Sequence, residues 1–256
     1  MSDVDVKVYL SHGGGVNSWA LYLYLMEQGE VPGVDFEAVF VDHQTDWPET
    51  YEYMDMMIAK GYPVTAIRPE HGGHVTVYDF CRKWNKIPGR QPGHRWCTQR
   101  FKVEVVERYY QKPCIELIGF DVSEKHRKTG LIGKAGVEQD FPLIAAGIDR
   151  QGCEEIIKRH GLPTPPKSGC YICPFMRRSQ WIELKRKHSD LFCRAVRLEK
   201  NCNERRAAAG KEPVYFGDIP LETLVLPKNS AGLRAKVGQG TMFDPDYDQP
   251  PCRCGL

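Results

Sequence analysis

The sequence predicts an α/β protein: a parallel sheet flanked by helices, followed by a helical C-terminal extension that carries a Cys-X-X-Cys pair. Three observations predict it. Apolar strand-like runs alternate with helical stretches through the first half of the chain. Three consecutive glycines, Gly13–Gly15, stand between the first strand and the first helix. A proline-rich connector, Gly161–Pro166, precedes Cys170-Tyr171-Ile172-Cys173. These divide the chain into an α/β domain over residues 1–148 and an extension over 149–256.

The elements follow in order. Val4, Val6, Val8 and Leu10 alternate with polar residues, apart from Tyr9, which is strand periodicity. Trp19, Leu21, Leu23, Tyr24 and Leu25 mark a helix that stops at Gly29. Phe36–Val41 reads as a second strand ending at Asp42, and Pro48 opens a helix that Gly61 closes. Val64–Ile67 is a third strand. Phe101–Tyr110 has helical spacing and Cys114–Ile118 is a fourth strand. Helices are expected at about Arg150–His160, Trp181–Lys187 and Leu191–Arg206, and the Gly-, Pro- and Asp-rich remainder reads as irregular. Ligands of such sheets bind at the carboxyl ends of the strands. That edge would carry the glycine turn, the Asp42–Pro48 loop and the charged Gly119–Arg127 loop.

With 256 residues the chain can bury a sizeable core. No apolar run approaches a membrane span, and no basic-then-apolar signal opens the chain, so a soluble, cytoplasmic protein is expected. A net charge of +2 excludes a gross polycation but leaves room for local basic patches. One such stretch holds Arg82, Lys83, Lys86, Arg90, Arg95, Arg100 and Lys102 with Trp84 and Trp96. A solvated loop explains most of these residues singly. Together they suit a polyphosphate or a DNA or RNA backbone.

The turn Ser11-His12-Gly13-Gly14-Gly15-Val16-Asn17-Ser18 lets a ligand approach the backbone, and Ser18 with the first helical N–H groups favours an anion, most naturally a phosphate. The alternative is a tight turn with no ligand. It is not a Walker A loop, since no Gly-Lys-Ser/Thr ends it, and Gly-X-Gly-X-X-Gly fails at Ser18. Ten cysteines without a signal peptide point to metal or redox chemistry. A lone Cys-X-X-Cys fits half a zinc site, a thiol–disulfide pair or part of an iron–sulfur cluster. Cys97 and Cys153 are further candidate ligands. Cys81, Cys114, Cys193 and Cys202 sit in helices or a strand, where small buried hydrophobes are the default.

Five segments in order resemble the phosphoadenosine-phosphosulfate (PAPS) reductase branch of the ATP-pyrophosphatase (PP-loop) superfamily, over roughly Val6–Glu199. The turn resembles that superfamily's Ser-Gly-Gly-X-Asp-Ser loop through Gly14, Gly15 and Ser18, with Gly13 in place of its first Ser and Asn17 in place of its Asp. Asp42–Thr50 resembles Asp-Thr-Gly…Pro-Glu-Thr, with His43-Gln44 departing from it. Trp96-Cys97-Thr98 with Phe101-Lys102 resembles Cys-Cys…Arg-Lys, and Gly119…Arg127 resembles Gly-X-Arg…Arg. Pro142-Leu143 followed by Gly169-Cys170…Cys173-Pro174 resembles Pro-Leu…Gly-Cys-X-X-Cys. The form seen here is most similar to reductase-like proteins of phages and mobile elements, relatives of DNA phosphorothioation enzymes.

The resemblance implies an adenine nucleotide alpha hydrolase-like fold that binds ATP, PAPS or APS. Ser11, Gly13, Gly14, Gly15, Asn17, Ser18, Asp42 and Arg127 would contact the nucleotide, and Ser18, Lys102 and Arg127 would act on it, with magnesium riding on the phosphates. It also implies a [4Fe–4S] cluster on Cys97, Cys170 and Cys173. Trp96 takes the place of the family's other cysteine, so Cys153 is the expected fourth ligand, with zinc a competitor at the Cys-X-X-Cys pair. Three functions follow: adenylation with pyrophosphate release linked to sulfur transfer or nucleic-acid modification, sulfonucleotide reduction by Cys254 with a thioredoxin-like reductant, or nucleic-acid binding without catalysis. The first ranks highest, because the tail Arg253-Cys254-Gly255-Leu256 lacks the flanking Glu and His of the reductases. A homodimer is among the expected assemblies.

Overall fold

The computed structural model describes residues 6–70, 73–74, 76–88, 95–130 and 135–225. It forms two compact units, Met1–Val75 with Arg100–Gly169, and Thr76–Gln99 with Cys170–Leu256. The sequence boundary at residue 148 falls inside the first unit, and the segment Thr76–Gln99 belongs to the second. Val4, Arg90, Cys252 and Cys254 lie outside the described residues.

The first unit holds β1 (Lys7–His12), α1 (Val16–Glu27), β2 (Glu37–Val41), α2 (Pro48–Ala59) and β3 (Thr65–Ile67). After the break come a π-helical turn (Gln99–Val103), β4 (Cys114–Ile118), a 3-10 helix (Val122–Gly130) and β5 (Val137–Asp140). The five strands form one parallel sheet in the order β3-β2-β1-β4-β5. Parallel strands buried on both faces need apolar residues on both. Leu10, Ala38, Phe40 and Leu117 face a core with Trp19, Tyr22, Met57, Ile156 and Ile157. Tyr9, Val39, Val41 and Val137 face the other, with Val105, Val106 and Tyr110. Tyr9, which breaks the alternation in sequence, stacks on Tyr110 at 4.3 Å and accepts the Gln111 N–H through its hydroxyl at 3.2 Å.

β1 runs two residues past the expected Leu10. Ser11 and His12 stay in the ladder opposite Val39 and Phe40. β5 carries one apolar residue in four, too little periodicity to be seen in sequence. The proline connector lies on this unit: Pro163 O accepts the Tyr53 hydroxyl at 2.8 Å, and the Trp47 N–H reaches Gly169 O at 3.1 Å.

Of the remaining helices, α5 (Glu104–Tyr109), α6 (Pro142–Ala145) and α7 (Arg150–Arg159) belong to the first unit. The second unit is helical, with α3 (Val77–Lys83), α4 (Trp96–Thr98), α8 (Arg178–Lys187), α9 (Ser189–Ala208) and α10 (Leu221–Leu224). Trp181, Leu184, Ala195, Phe216 and Leu221 are fully buried. Glu199 fastens the segment after α9 by accepting the Phe216 and Leu221 N–H groups at 2.9 and 2.7 Å. No helix among the described residues is long and apolar enough to cross a membrane.

Candidate functional site

Strand order reverses between β1 and β4, and the loops leaving those two strands flank the reversal, where open parallel sheets take ligands. The glycine turn follows β1 directly. Gly14 has φ +73°, and a Cβ there would stand 2.7 Å from Thr50 Cγ2. Gly119, leaving β4, lies so close to α1 that a Cβ would stand 3.0 Å from Asn17 O and 3.3 Å from Ser18 Cα. The N-cap of α1 is Gly15, whose lack of a side chain leaves the helix start uncapped, and no acidic residue occupies its first turn. Such an end favours an anion.

The turn is pre-shaped by two side chains. Ser18 Oγ accepts the Gly13 N–H at 3.1 Å, which leaves the hydroxyl proton for another acceptor. His12 Nδ1 accepts the Gly14 N–H at 3.2 Å. A ring nitrogen that accepts is unprotonated, so the His12 proton lies on Nε2. Burial pushes the His12 pKa down to about 3, so the ring is neutral, and it stands edge-to-face with Trp19 at 4.4 Å. No sequence signal marks His12, since a lone histidine beside glycines is not distinctive.

Asn17 is fully engaged. Its Nδ2 donates to Asp121 Oδ2 at 2.9 Å and Glu124 Oε2 at 3.0 Å, and its Oδ1 accepts from Arg150 Nη1 at 3.2 Å. An aspartate there would meet two carboxylates, which gives a physical reason for the departure from Ser-Gly-Gly-X-Asp-Ser. Burial alone would raise the Asp121 pKa, but hydrogen bonds from Ser123, Asn17 and the Glu124 N–H outweigh it and hold the carboxyl below its usual range. Arg127 pairs with Glu124, and its guanidinium lies 4.2 Å over the Phe120 ring.

The loop after β2 supplies a third cluster. Asp42 accepts the Gln44 N–H at 3.1 Å and pairs with Arg68 at 3.3 Å. His43 Nδ1 accepts the Thr45 N–H at 3.3 Å and lies 2.6 Å from Thr45 Oγ1, so its proton is on Nε2, which faces Asp46 Oδ1 at 3.5 Å. Burial lowers the His43 pKa to about 4, against the opposing pull of Asp46; Lys102, whose charge acts on the same ring, also lowers it. Asp46 is buried, and neither of its carboxylate oxygens has a hydrogen-bond partner among the described residues. Sequence reasoning missed Asp46, since only the fold shows that this loop residue is buried. Of the expected contacts, Ser11 is set apart: it lies within β1 and is hydrogen-bonded by Tyr110.

No protein-family model matches the chain, and no curated protein matches it. Two solved structures are similar in fold. One is a phosphoadenylyl-sulfate (PAPS) reductase from Candida auris in a phosphate complex, 16% identical, covering 65% of this chain and 82% of that one, with a TM-score of 0.49. The other is the U34-tRNA thiolase NcsA from Methanococcus maripaludis with its [4Fe-4S] cluster, 15% identical, covering 77% and 73%, with a TM-score of 0.42.

The expected metal ligands divide between the units. Cys97, Cys170 and Cys173 belong to the second, are half-buried and are outside any disulfide. Cys153 belongs to the first, buried in the core of α1 and α7, where burial pushes its thiol up to about 12. Thiolates are the donor chemistry that an iron–sulfur cluster or zinc needs. Among the described residues, no group of three or more His, Cys, Asp or Glu is assembled that could hold a metal ion. The basic stretch is partly committed to aromatic rings: Lys86 Nζ lies 4.3 Å from Phe80 and 4.4 Å from Trp96, and Arg95 lies 4.5 Å over Phe175.

Proposed function

We propose that the first unit binds an adenine nucleotide by its polyphosphate, and that the chain is an enzyme that activates a substrate oxygen by adenylation. The observation that carries this reading is the uncapped start of α1 behind a glycine turn, at the point where the strand order reverses. Ser18 would donate its hydroxyl proton to a phosphate oxygen, and Lys102 and Arg127 would offset phosphate charge. In the reaction a substrate oxygen forms a bond to the α-phosphorus while the α–β bridging bond breaks and pyrophosphate leaves with the electron pair, magnesium travelling on the phosphates. Sulfur replacing the activated oxygen would complete a transfer. In the second unit Cys97, Cys170 and Cys173 would hold an iron–sulfur cluster, which when bound supplies electron or sulfur carriage. The reductase reading rests on Cys254, outside the described residues.

Calorimetry with ATP tests the binding step. The wild-type chain should bind, Gly14→Ala should bind at least about tenfold more weakly, because φ +73° and the Thr50 methyl both oppose a Cβ, and Ser18→Ala should lose several-fold. Equal affinity in all three would remove the reading. Exchange of labelled pyrophosphate into ATP then separates adenylation from sulfonucleotide reduction, which releases sulfite instead.

A further inference from the structure

The two units differ in charge. The second holds 20 Lys and Arg against 11 Asp and Glu, a net charge of +9, and the first holds 15 against 22, a net charge of −7; together these give the +2 of the whole chain. A polyanion is therefore attracted to the second unit and repelled by the first. Charge alone does not choose among polyanions. The aromatic residues that stand among these cations do. Of the five tryptophans only Trp84 is exposed, at 47%. It is the C-cap of α3, and Asn85 after it takes φ +42°. α9 braces this segment: Arg205 Nη1 donates to the Trp84 carbonyl, the Ile87 backbone hydrogen-bonds Cys202, and Arg194 lies 5.8 Å from the Tyr78 ring near the start of α3. The backbone beneath Trp84 is thus fixed, although the residue stays exposed. A large flat side chain on a fixed base loses little freedom when a second ring stacks on it.

From Trp84 the cations and rings continue together. Lys83 Nζ lies 5.6 Å from the Trp84 ring, and Phe80 stands 6.5 Å from Trp84 and 5.3 Å from Trp96, with Lys86 over both Phe80 and Trp96. Arg95, next to Trp96, lies 4.5 Å over Phe175, a second exposed ring. Arg82 pairs with Asp79 at 3.8 Å. Lys83 and Arg205 are exposed and pair with no carboxylate among the described residues.

We propose that this track of the second unit, from Trp84 to Phe175, binds a single-stranded nucleic acid. Unpaired bases stack on the two exposed rings, and Lys83, Arg205 and Arg95 draw the phosphates between them. The exposed rings decide for a single strand. A duplex offers phosphates but keeps its base faces stacked inside, and an acidic peptide offers charge without flat faces. DNA and RNA strands share both features that the track recognises. The inference goes beyond the nucleotide reading and does not depend on it, since it concerns the other unit and a polymer.

The test is fluorescence anisotropy of the full chain with labelled oligothymidylate and oligouridylate of about 15 nucleotides and with a duplex of the same length, over a range of salt. Wild type should bind a single strand about tenfold more tightly than the duplex. Trp84→Ala should weaken single-strand binding by about tenfold and leave its salt dependence unchanged, while Trp84→Phe, which keeps a ring, stays within about threefold of wild type. Lys83→Gln should instead lower the slope of log affinity against log salt by about 0.7. A preference for thymidylate or for uridylate supports the proposal and names the sugar. Duplex bound as tightly as single strand, or Trp84→Ala binding like wild type, overturns the stacking track. Polyglutamate that competes as well as the oligonucleotides overturns nucleic acid as the partner. Should Trp84→Ala fail to fold, Trp84→Leu takes its place, with apolar bulk and no π-face: weakened binding supports the proposal, and unchanged binding overturns it.

Discussion

The two units bury titratable groups of opposite sign, with opposite consequences. The first unit buries His12 and His43 beside the strand ends, and desolvation drives both pKa values down, to about 3 and about 4. The second buries Glu199 under the segment after α9, and desolvation drives its pKa up, to about 7, against two backbone hydrogen bonds that lower it. One physical cause, the exclusion of water from a charge, thus sets one unit against acid and the other against alkali. The difference also separates roles. The histidines shape loops at the carboxyl ends of the strands, whereas Glu199 fastens the segment after α9.

The largest effect expected is in acid. The unfolded chain protonates both histidines near pH 6.5, but the folded unit keeps them neutral to about 4 and about 3. Their contribution is therefore complete above pH 6.5 and is lost as pH falls, on the order of several kcal/mol together. Amide exchange followed on peptides of β1 and α1 should accelerate steeply between pH 6.5 and 4 after correction for intrinsic rates. Flat protection there would dissolve the contrast.

For Glu199 the sign reverses. The unfolded carboxyl releases its proton near 4.5 and the folded one near 7, so its contribution is greatest below pH 4.5 and falls as pH rises through 7, by on the order of a few kcal/mol. Glu199→Gln keeps one backbone acceptor and no charge. It should flatten the pH dependence of exchange in α9 and lie below wild type in acid. An unchanged pH profile in that variant would place the dependence elsewhere.

Smaller effects sharpen the local picture. Gly119→Ala must push against the Asn17 carbonyl, a backbone atom at 3.0 Å that cannot rotate away. It should destabilise the first unit by about 1–3 kcal/mol, seen as faster exchange in α1, and leave α8 and α9 unchanged. Asn17→Asp sets a third carboxylate beside Asp121 and Glu124 while keeping the Arg150 contact. A loss of about 1 kcal/mol in thermal melting, relieved at low pH, is expected; a neutral or stabilising result would contradict the reading of Asn17 as a clip between carboxylates.

Much of the frame is legible in the sequence because burial leaves a pattern. β4 has the expected bounds, Cys114–Ile118, since its apolar residues sit between clear turns. Pro48 opens α2, where a missing N–H costs nothing, and Gly29 and Gly61 follow their helices with positive φ. What is not legible depends on contacts distant in the chain. Ser11 and His12 read as loop because they are polar, yet the strand continues through them, one hydrogen-bonded by Tyr110 and the other neutral inside the core. Asp46 and Cys81 carry no local signal at all. Their settings come from the fold: Asp46 is buried beside His43 of its own loop, a ring on which Lys102 acts from another segment, and Cys81 is buried with Cys97 and Cys170 as electrostatic neighbours. The membership of Thr76–Gln99 in the second unit is likewise a tertiary fact.

The central claim, that an adenine nucleotide sits at the strand ends of the first unit, is tested most directly by amide exchange of the full chain with and without saturating ATP and magnesium. The account predicts slowed exchange in peptides spanning residues 12–19, 42–47 and 119–127, with no change in 178–206. Protection confined to 178–206, or none at all where ATP is shown to bind, would contradict it.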